Sequence, residues 1–312
     1  MPHNWTGALN MTIPAPGMDH DLYRYSPLPK RPVLKWPSGA RVASWVLLHL
    51  EYWELEPPEG THRDTRFQGS RGDYFPEYRY FTQREYGNRI GIFRVLDLLD
   101  KHGLKATVAV NASACDRYPN LIEECAQRGY EFAAHGEYQS RMITSNMSEA
   151  EERRTIDVTT TTIEAATGTR PTGWLGPDSG ESPNTPQYLA DAGYDYLMDW
   201  PNDDQPYLMT TRPNLVSVPN QMEWDDVQNL WVRHVPNSRY PSLVGNAFRT
   251  LHAEGKESGR LFGLSLHPWV IGQPHRIKFL AQALEDICAY DEVWQATAGE
   301  ISRHYRSLDP KP

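Results

Sequence analysis

The sequence predicts an α/β fold in which parallel strands form a closed or nearly closed (β/α) barrel. After residue 40, segments of strand composition alternate with segments of helical periodicity roughly seven times, which is typical of parallel strands joined by crossover helices. The first strand is not followed by the G-x-G-x-x-G turn of a dinucleotide-binding sheet. A barrel is therefore favoured over a doubly wound sheet.

The first strand is predicted at residues 41–52, RVASWVLLHLEY, where an almost continuous apolar run follows the turn residues PSG. Residues 54–88 form a polar and aromatic segment that is too long for an ordinary connection. Insertions of this kind tend to be lids or binding loops. Residues 89–103 have apolar side chains at helical spacing and end on a glycine, which predicts a helix. Residues 104–111 are the next strand.

The alternation continues along the rest of the chain. A helix is predicted at 148–168, because Ser148 and several acidic residues stand at its start and Gly168 at its end. Further helices are predicted at YPNLIEECAQRG, at TPQYLADAGY, around 238–256 and at 274–290. The remaining strands are YEFAAHG, PTGWLGP, YDYLMDW, NLVSVP, LFGLSLHP and EVWQAT.

Composition and charge exclude several classes of protein. The 312 residues carry a formal net charge of −9 without a cluster of Lys or Arg, so nucleic-acid binding is not expected. No apolar run approaches the ~20 residues that span a bilayer, and the first residues do not resemble a secretory signal. Three cysteines without C-x-x-C spacing indicate free thiols, and the cytoplasm is the expected location.

The chain is expected to hold one folded domain, at residues 41–305. Residues 1–40 are rich in proline and polar groups and are predicted to form an extended arm. Such an arm wraps either the body of the domain or a neighbouring subunit. The arm therefore favours a homo-oligomer.

Chemistry in a parallel barrel sits where strands end and loops begin, and several of these positions hold histidines or carboxylates. The first strand ends with His49 and Glu51, the strand YEFAAHG with His135, and LFGLSLHP with His267. These groups fit hydrolysis of an amide-like bond, which needs a base for water, a donor to the oxyanion and an acid for the leaving nitrogen. Glu51 or a nearby carboxylate is the candidate base and His267 the candidate acid. His135 is expected to bind a metal or to donate to the oxyanion.

Asp199 is expected to orient His267 and to raise its pKa. The side chains predicted to contact the substrate, Asp199 again among them, are Trp53, Gln139, Arg141, Trp174, Asp199, Trp200, Asp204 and Trp269. Each also has a structural interpretation, because tryptophans on strands usually belong to the core and acidic residues in PNDDQPY can be turn formers. No G-x-S-x-G elbow is present, so a covalent acyl-enzyme is disfavoured.

Residues 40–300 resemble the polysaccharide deacetylase (NodB-like) superfamily through the segments HGEYQSR, RPTGWLGPDSGESPNTP, DWPNDDQPY and LSLHPWVIGQPHR. The resemblance is closer to the branch that contains cofactor-independent allantoinase and the cyclic imide hydrolases, and HPWVIGQPHRI is its most specific element. It implies a distorted (β/α)7 barrel and a hydrolase of carbon–nitrogen bonds other than peptide bonds.

The chain departs from the metal site of that superfamily. Its deacetylases carry an Asp-Asp pair after the first strand and an H-x-x-x-H pair that completes the site. Here the Asp-Asp position reads LEYW, with Glu51 as its carboxylate, and the second histidine is Gln139, a poor zinc ligand. A site without a cofactor is therefore the first expectation, and Zn²⁺ held by Glu51 and His135 is the alternative.

The leading interpretation is a hydrolase of a small cyclic amide, imide or ureide that acts by water attack with general acid–base catalysis. One alternative is a metal-dependent N-deacetylase of an amino sugar or oligosaccharide. Another is an inactive homologue that binds a metabolite or carbohydrate, since an altered metal site also fits a loss of activity. The resemblance, like the arm, favours a homo-oligomer, and no nucleic-acid or membrane partner is expected.

Overall fold

The computed structural model describes residues 18–61 and 76–311. The strands in these ranges are β1 Val42–Leu50, β2 Ala106–Val110, β3 Glu131–Ala134, β4 Gly173–Trp174, β5 Tyr196–Leu197, β6 Tyr207–Leu208, β7 Val216–Ser217, β8 Arg260–Leu266 and β9 Val293–Gln295. The helices are α1 Tyr78–Tyr86, α2 Ile92–Lys101, α3 Ala112–Arg117, α4 Pro119–Gln127, α5 Glu149–Thr167, α6 Thr185–Asp191, α7 Tyr240–Glu254, α8 Pro268–Ile271, α9 Ile277–Ile287 and α10 Ala298–Ser307. Two π-helical segments lie at Gly87–Gly91 and Val227–Val232.

The strands form one sheet that curls into a half-barrel. Their order is β6-β7-β5-β4-β3-β2-β1-β8, with β9 beside the first residues of β1, and the β6–β7 pair is antiparallel while the other pairs are parallel. Leu48 lies opposite Val108 of β2 and Leu266 of β8, so the carboxyl ends of these three strands meet at one edge. The predicted α/β class and distorted barrel are confirmed.

The central strand β1 is buried on both faces, which explains its nearly continuous apolar sequence. Ala43, Trp45 and Leu47 pack inside the barrel with Tyr196 and Met198. The residues between them pack in a second, outer layer with the helices, and these are Val46, Leu48 and Leu50. The strand thus carries two columns of side chains, an inner and an outer one.

Helix α5 begins and ends where its sequence predicts. Ser148 and Glu151 form a reciprocal capping box, and Gly168 ends the helix in the left-handed conformation. The same signal, Thr297 with Glu300, begins α10, a helix that was not among the predicted elements. Among the described helices, none combines the length and the apolar character needed to cross a membrane.

From residue 18 onwards the N-terminal arm packs on the barrel, while residues 1–17 lie outside the described residues. Arg31 forms a two-pronged ion pair with Asp203, with N–O distances of 2.6 and 2.5 Å. Trp36 is 3% exposed and donates from Nε1 to the carbonyl oxygen of Arg260, the first residue of β8. The arm therefore covers the end of the barrel at which β8 begins.

The insertion predicted at 54–88 is shorter than expected, because helix α1 begins at Tyr78; residues 62–75 lie outside the described residues. Helix α1 continues through the π-helical segment Gly87–Gly91 directly into α2, so the helix predicted at 89–103 was wrong in its start. A Cβ on Gly91 would lie 2.2 Å from the carbonyl oxygen of Pro268. The π-helical segment therefore packs backbone to backbone against α8.

In the described part of the chain, loop contacts connect the wall of the barrel near β7 to the terminal strand β8. The backbone N–H of Leu261 donates to the carbonyl oxygen of Asp204 at 2.8 Å. Nε1 of Trp224 donates to the carbonyl oxygen of Gly263 at 2.6 Å. This connection runs along β8 and brings residues 225–226 close to His267, where β8 ends.

Candidate active site

The carboxyl end of β1 brings His49 and Glu51 together on the inner face of the barrel. They continue the inner column that Trp45 and Leu47 begin, since alternate residues of a strand point to the same face. Nδ1 of His49 lies 3.2 Å from Oε1 of Glu51, and the two side chains are 7% and 6% exposed. The apolar column therefore ends in a buried polar pair.

His135 enters the same space from the end of β3. The next residue, Gly136, has φ of 68° and no room for a Cβ, which would lie 2.6 Å from Cγ of Pro177. Nδ1 of His135 lies 2.7 Å from the carbonyl oxygen of Leu175, which can only accept, so Nδ1 carries the proton. Nε2, the other ring nitrogen, faces Glu51 and lies 3.6 Å from its Oε1. The expected role of His135, as a metal ligand or as a donor to the oxyanion, stays a prediction.

Asp226 holds His267 at the end of β8 through two hydrogen bonds. The backbone N–H of His267 donates to Oδ2 at 2.8 Å, and Nδ1 donates to Oδ1 at 2.7 Å. Nε2 faces Glu51, 3.8 Å from its Oε1, and the ring stacks on His49 with centroids 3.8 Å apart. The prediction that Asp199 orients His267 was wrong, because the carboxylate bonded to the imidazole comes from the segment beside β8.

Burial and neighbouring charges set the protonation of these groups. Burial alone would raise the pKa of Glu51, yet its interactions with the two neighbouring histidines hold that pKa well below its usual range. Burial lowers the pKa of His49 to about 4. Burial alone would also lower the pKa of His267, but the carboxylate of Asp226 and its neighbour raise it to about 10. At neutral pH a carboxylate therefore faces an imidazolium.

These groups lie in one cleft, with an empty volume of about 540 Å³ when the open space at its mouth is counted. Three of the predicted substrate contacts, Trp53, Gln139 and Trp269, line it together with the predicted catalytic residues. Trp53 donates from Nε1 to Oε2 of Glu51 at 3.1 Å. The side-chain oxygen of Gln139 is buried and has no hydrogen-bond partner in the described ranges.

Arg141 and Trp174 do not line the cleft. Arg141 is engaged in a two-pronged ion pair with Glu54, with N–O distances of 2.8 and 2.5 Å. Trp174 on β4 is fully buried and packs edge-on against Tyr194 in the outer layer of the core. The prediction of Trp174 as a substrate contact is corrected, because its ring points towards the helices.

Trp200 and Asp204 also lie outside the lining of the cleft. The ring of Trp200 packs against Tyr23 of the N-terminal arm, with centroids 5.4 Å apart. The backbone of Asp204 bonds to Leu261 near the start of β8, roughly 17 Å along the strand from its carboxyl end. The segment after β5 turns back along the barrel wall, and the prediction that Asp204 contacts substrate is corrected for this reason.

Asp199 supports the cleft from behind. Its Oδ1 accepts a hydrogen bond of 2.6 Å from the N–H of Gly176. The carbonyl group of the same peptide unit, that of Leu175, accepts the hydrogen bond from His135. One peptide unit thus connects Asp199 to His135, and Asp199 is separated from the cleft by it.

The carboxyl group of Glu181 neighbours that of Asp199, and Oδ2 of Asp199 is buried without a hydrogen-bond partner among the described residues. Oε2 of Glu181 accepts from Nε1 of Trp200 at 3.0 Å, and its Oε1 is buried. Burial and the neighbouring Asp199 raise the pKa of Glu181 well above its usual range. Burial raises the pKa of Asp199 to about 6. The pair therefore retains a proton to a higher pH than isolated carboxyl groups do.

Three buried residues in or beside the cleft, His49, Asp225 and Asp226, were given no specific role from the sequence. His49 was visible in the sequence, since it precedes Glu51 by two residues on a strand and so shares its face. Asp225 and Asp226 precede the π-helical segment Val227–Val232 and do not end a strand, so a search of strand ends passes over them. Their signal is a pair of acids directly before an apolar helical stretch, WDDVQNLWV.

In the described ranges, two groups of side chains place metal-ligating atoms within 4.8 Å of one another. The first is His49, Glu51 and His135, and the second is Asp225, Asp226 and His267. In the second group, both oxygens of Asp226 are already bonded to His267. In the first group, Nδ1 of His49 and Nε2 of His135 converge on Oε1 of Glu51 at 3.2 and 3.6 Å, and neither nitrogen has a further partner among the described residues. The first group is therefore the one whose ligand atoms could hold a metal ion.

Comparisons with known proteins agree with this fold. Residues 86–197 match the family model of the polysaccharide deacetylases. A Schizosaccharomyces pombe protein whose name assigns it provisionally to the polysaccharide deacetylases is 25% identical over 247 residues, which cover 72% of this chain and 76% of the relative.

Two solved structures superpose on nearly the whole chain. The crystal structure of PuuE allantoinase is 26% identical, with a TM-score of 0.79 and coverage of 90% of this chain and 96% of that one. The structure of a probable polysaccharide deacetylase from Pseudomonas aeruginosa PAO1 is 26% identical, with a TM-score of 0.79 and coverage of 91% and 97%. Residues 86–197 therefore match the polysaccharide deacetylase family, and a probable deacetylase and PuuE allantoinase are among the structural neighbours of the chain.

Proposed function

We propose that this chain hydrolyses a carbon–nitrogen bond other than a peptide bond in a small cyclic amide, imide or ureide. The deacetylase family match and the allantoinase neighbour support a hydrolase. The observation that carries the proposal is the position of Glu51 and His267, which face each other across 3.8 Å with Asp226 bonded behind the histidine. A carboxylate base and an imidazolium acid are the two groups that such a reaction needs.

His267 is the proposed acid for the leaving nitrogen. Its Nδ1 is bonded to Asp226, so Nε2 is the atom that gives a proton to a substrate nitrogen in the cleft. Asp226 is fully buried and bonds both the backbone and the ring of His267, which fixes the ring and stabilises its positive charge. The nitrogen leaves as a neutral amine or amide because it receives this proton as the bond breaks.

Glu51 is the proposed acceptor of the proton from the attacking water. Its Oε2 is held by Trp53, and its Oε1 faces the imidazoles. The water oxygen bonds to the substrate carbonyl carbon as its proton passes to Glu51, and the carbon–nitrogen bond breaks as His267 protonates the nitrogen. The proton on Glu51 then returns to His267 across their 3.8 Å separation, which restores both groups.

The lining of the cleft supports a substrate with N–H groups beside carbonyl groups. The side-chain oxygens of Gln139 and Asn220 are buried and lack hydrogen-bond partners among the described residues, and both side chains line the cleft. Each amide matches an N–H or carbonyl group of an imide or ureide ring. Trp53 and Trp269 provide flat aromatic surfaces in the same cleft.

The proposal is tested by hydrolysis assays on allantoin, on simple cyclic imides and on N-acetylated chitooligomers. Ring opening of a ureide or imide is the expected result. Glu51→Gln and His267→Ala are each expected to lower kcat by ~10²–10⁴-fold. The matched controls are Glu285→Gln, in an exposed ion pair, and His252→Ala, which contacts a backbone carbonyl far from the cleft.

Turnover that survives either cleft substitution contradicts the assigned role of that residue. Acetate release from chitooligomers without ring opening contradicts the proposed substrate class. The absence of turnover on every substrate favours the inactive, ligand-binding homologue. Circular dichroism of each variant shows whether a loss of turnover reflects a loss of fold.

A metal-dependent N-deacetylase is the second candidate. It is favoured by the match of residues 86–197 to the polysaccharide deacetylase family and by the ligand atoms of His49 and His135 that converge on Glu51. Acetate release that is lost with a chelator and restored with Zn²⁺ is the result that this candidate requires. The ring-opening assay distinguishes it from the leading candidate.

A cytoplasmic homo-oligomer without a nucleic-acid or membrane partner is part of the same proposal. Free cysteines support the reducing compartment, since Cys115 and Cys125 are buried and unpaired and Cys288 is also free. The described part of the N-terminal arm packs on the barrel of its own chain. The arm therefore supports an oligomer only through its length and composition. Analytical ultracentrifugation tests the oligomeric state, and a single species with the mass of one chain contradicts it.

A further inference from the structure

We propose that Arg84 is a positioning residue of the cleft, which holds the indole of Trp53 in the orientation that bonds it to Glu51. Arg84 lies on α1, and its guanidinium carbon is 3.6 Å from the centroid of the Trp53 ring. Trp53 in turn donates from Nε1 to Oε2 of Glu51 at 3.1 Å. The inference rests on the proposed function for the role of Glu51 as the proton acceptor. The orientation of Trp53 itself is measured without any turnover.

The main chain next to Trp53 is held by hydrogen bonds that do not set the orientation of its ring. The N–H of Tyr52 donates to Oδ1 of Asn111 at 2.9 Å, and the carbonyl oxygen of Tyr52 accepts from the N–H of Gln139 at 3.0 Å. These bonds fix the backbone, but the two side-chain torsions of a tryptophan remain to be set by other contacts. The orientation of the indole therefore depends on the groups that pack against its faces.

The guanidinium of Arg84 packs on one of these faces. Its distance of 3.6 Å lies well within the ~6 Å at which a cation attracts an aromatic ring. Tryptophan is the aromatic side chain that attracts cations most strongly. Both side chains are half-buried, so water screens the attraction less than it does on an open surface. Arg84 thus stabilises the ring orientation in which Nε1 points to Glu51.

The helix that carries Arg84 is itself fixed beside the cleft. Tyr80, one turn earlier on α1, is 7% exposed. A Cβ on Gly87, at the start of the π-helical segment, would lie 2.6 Å from the backbone nitrogen of Trp269. The backbones of the two segments are therefore in direct contact, and Arg84 extends from a support that moves little relative to the cleft.

A second contact joins the same helical run to the end of β1. Asn88, one turn after Arg84, donates from Nδ2 to the carbonyl oxygen of Glu51 at 2.7 Å. Asn88 therefore holds the backbone of Glu51, while Arg84 holds the ring that bonds to its carboxylate. The two contacts are one helical turn apart and reach residues that are two positions apart on the chain.

The bond from Trp53 determines which oxygen of Glu51 is available to water. Oε2 is occupied by the indole N–H, so Oε1, which faces the imidazoles, remains to accept the proton. An indole that turns away leaves the carboxylate without this donor, and proton transfer depends on a fixed geometry. Loss of Arg84 is therefore expected to lower kcat more than it raises KM.

The first test observes the indole of Trp53 in the full chain without substrate. Isotope-labelled tryptophan gives one indole signal per residue in a two-dimensional NMR spectrum, and the Trp53→Phe variant identifies the signal of Trp53 by its loss. The exchange of that indole proton with water is then measured by saturation transfer. We expect exchange to be ~5–30-fold faster in Arg84→Met, because its rate follows the fraction of molecules in which the bond to Glu51 is open.

The variants separate the charge of Arg84 from its packing. Arg84→Met keeps most of the aliphatic stem and removes the charge, whereas Arg84→Lys keeps a cation and is expected to retain slow exchange. Arg89→Met is the matched control on the same helical run, since the side chain of Arg89 is 71% exposed, and it is expected to leave the signal of Trp53 unchanged. Thermal unfolding shows whether each protein is folded, and Arg84→Gln is the second variant if Arg84→Met is not.

A double-mutant cycle tests whether Arg84 acts through Trp53. On a substrate that the chain turns over, Arg84→Met is expected to lower kcat by ~5–30-fold with little change in KM, and Arg84→Lys to restore part of that loss. In the Trp53→Phe background the same substitution of Arg84 is expected to have no further effect, because the N–H that it positions is absent.

Equal exchange rates in folded Arg84→Met and Arg89→Met overturn the inference, as does a loss of kcat that is the same with and without the N–H of Trp53. Faster exchange in Arg84→Met, without turnover on any test substrate, supports the positioning of Trp53 and contradicts the proposed function. Turnover of a cyclic substrate that no substitution of Arg84 changes has the opposite meaning. The two hypotheses therefore fail in distinguishable ways.

Discussion

Replacing Glu181 by glutamine is expected to change the pH dependence of folding in a defined way. Glu181 neighbours Asp199 behind the cleft, and its Oε2 accepts from Trp200. In Glu181→Gln, the amide oxygen keeps the bond from Trp200 and the amide nitrogen takes the place of Oε1. The geometry is preserved, while the ionisable proton is removed.

The magnitude follows from proton linkage. Burial and Asp199 raise the folded-state pKa of Glu181 well above 4.5, so the folded chain binds one proton more than the unfolded chain between the two values. The stability that this group contributes is fully present below the unfolded pKa and is lost as pH rises through the folded pKa. Each pH unit in this window costs the unmodified chain ~1.4 kcal/mol of unfolding free energy, and the variant does not incur this loss.

The assay is urea unfolding at pH 5, 6 and 7, with the free energy of unfolding compared between the two proteins. We expect the difference to grow in favour of Glu181→Gln by ~1.4 kcal/mol per pH unit from pH 5 up to the raised pKa of Glu181, and to level off above it. Glu285→Gln, in an exposed ion pair with Lys101, is the matched control and should follow the unmodified chain. Parallel curves for Glu181→Gln and the unmodified chain refute the raised pKa of Glu181.

Three further substitutions probe the fold and the cleft. Asp226→Asn is expected to lower kcat by ~10²–10⁴-fold in steady-state assays, because it removes the charge that orients and stabilises His267 as an acid. Gly91→Ala is expected to lower the free energy of urea unfolding by ~1–3 kcal/mol, since the new Cβ would lie 2.2 Å from the carbonyl oxygen of Pro268. Ser148→Ala is expected to lower it by ~1 kcal/mol, because it removes the cap of α5.

Each of these substitutions has a matched control. Asp286→Asn removes an exposed carboxylate and should leave kcat unchanged. Ile90→Ala, at a 44% exposed position next to Gly91, should change stability by less than ~0.5 kcal/mol. Thr161→Ala on the exposed face of α5 should not lower stability, since alanine favours the helix. Equal effects in a variant and its control contradict the mechanism assigned to that variant.

The strand and helix alternation could be predicted from sequence because each element carries a local signal. Strand β1 reads as a continuous apolar run since both of its faces are buried, and α5 is marked at both ends by Ser148 and Gly168. Helix α1 gives no such signal. Its nine residues are mostly aromatic and charged, and Tyr80 is the buried residue among them. Its helical state depends on continuity with α2 through the π-helical segment.

The contacts of the cleft could be predicted only where they follow from strand geometry. Glu51, His135 and His267 end parallel strands, and parallel strands bring their carboxyl ends to one edge. Asp226 reaches His267 across 41 positions of sequence from a segment outside the sheet, and no periodicity reports that contact. Asp199 ends β5, yet its neighbours are a backbone N–H and Glu181. Which acid bonds to His267 therefore depends on the direction that the chain takes after each strand.

Because the side chains of β1 form two separate columns, redesign of this protein can change its stability and its substrate preference independently. Substitutions of Val46, Leu48 or Leu50 alter the outer layer beneath the helices, so they can be screened for thermal tolerance with little effect on chemistry. Substitutions of Trp45 or Leu47 alter the inner apolar column that continues into the polar end of the strand. A laboratory evolution campaign should therefore find its stabilising mutations in the outer column and its changes of substrate preference at the inner one.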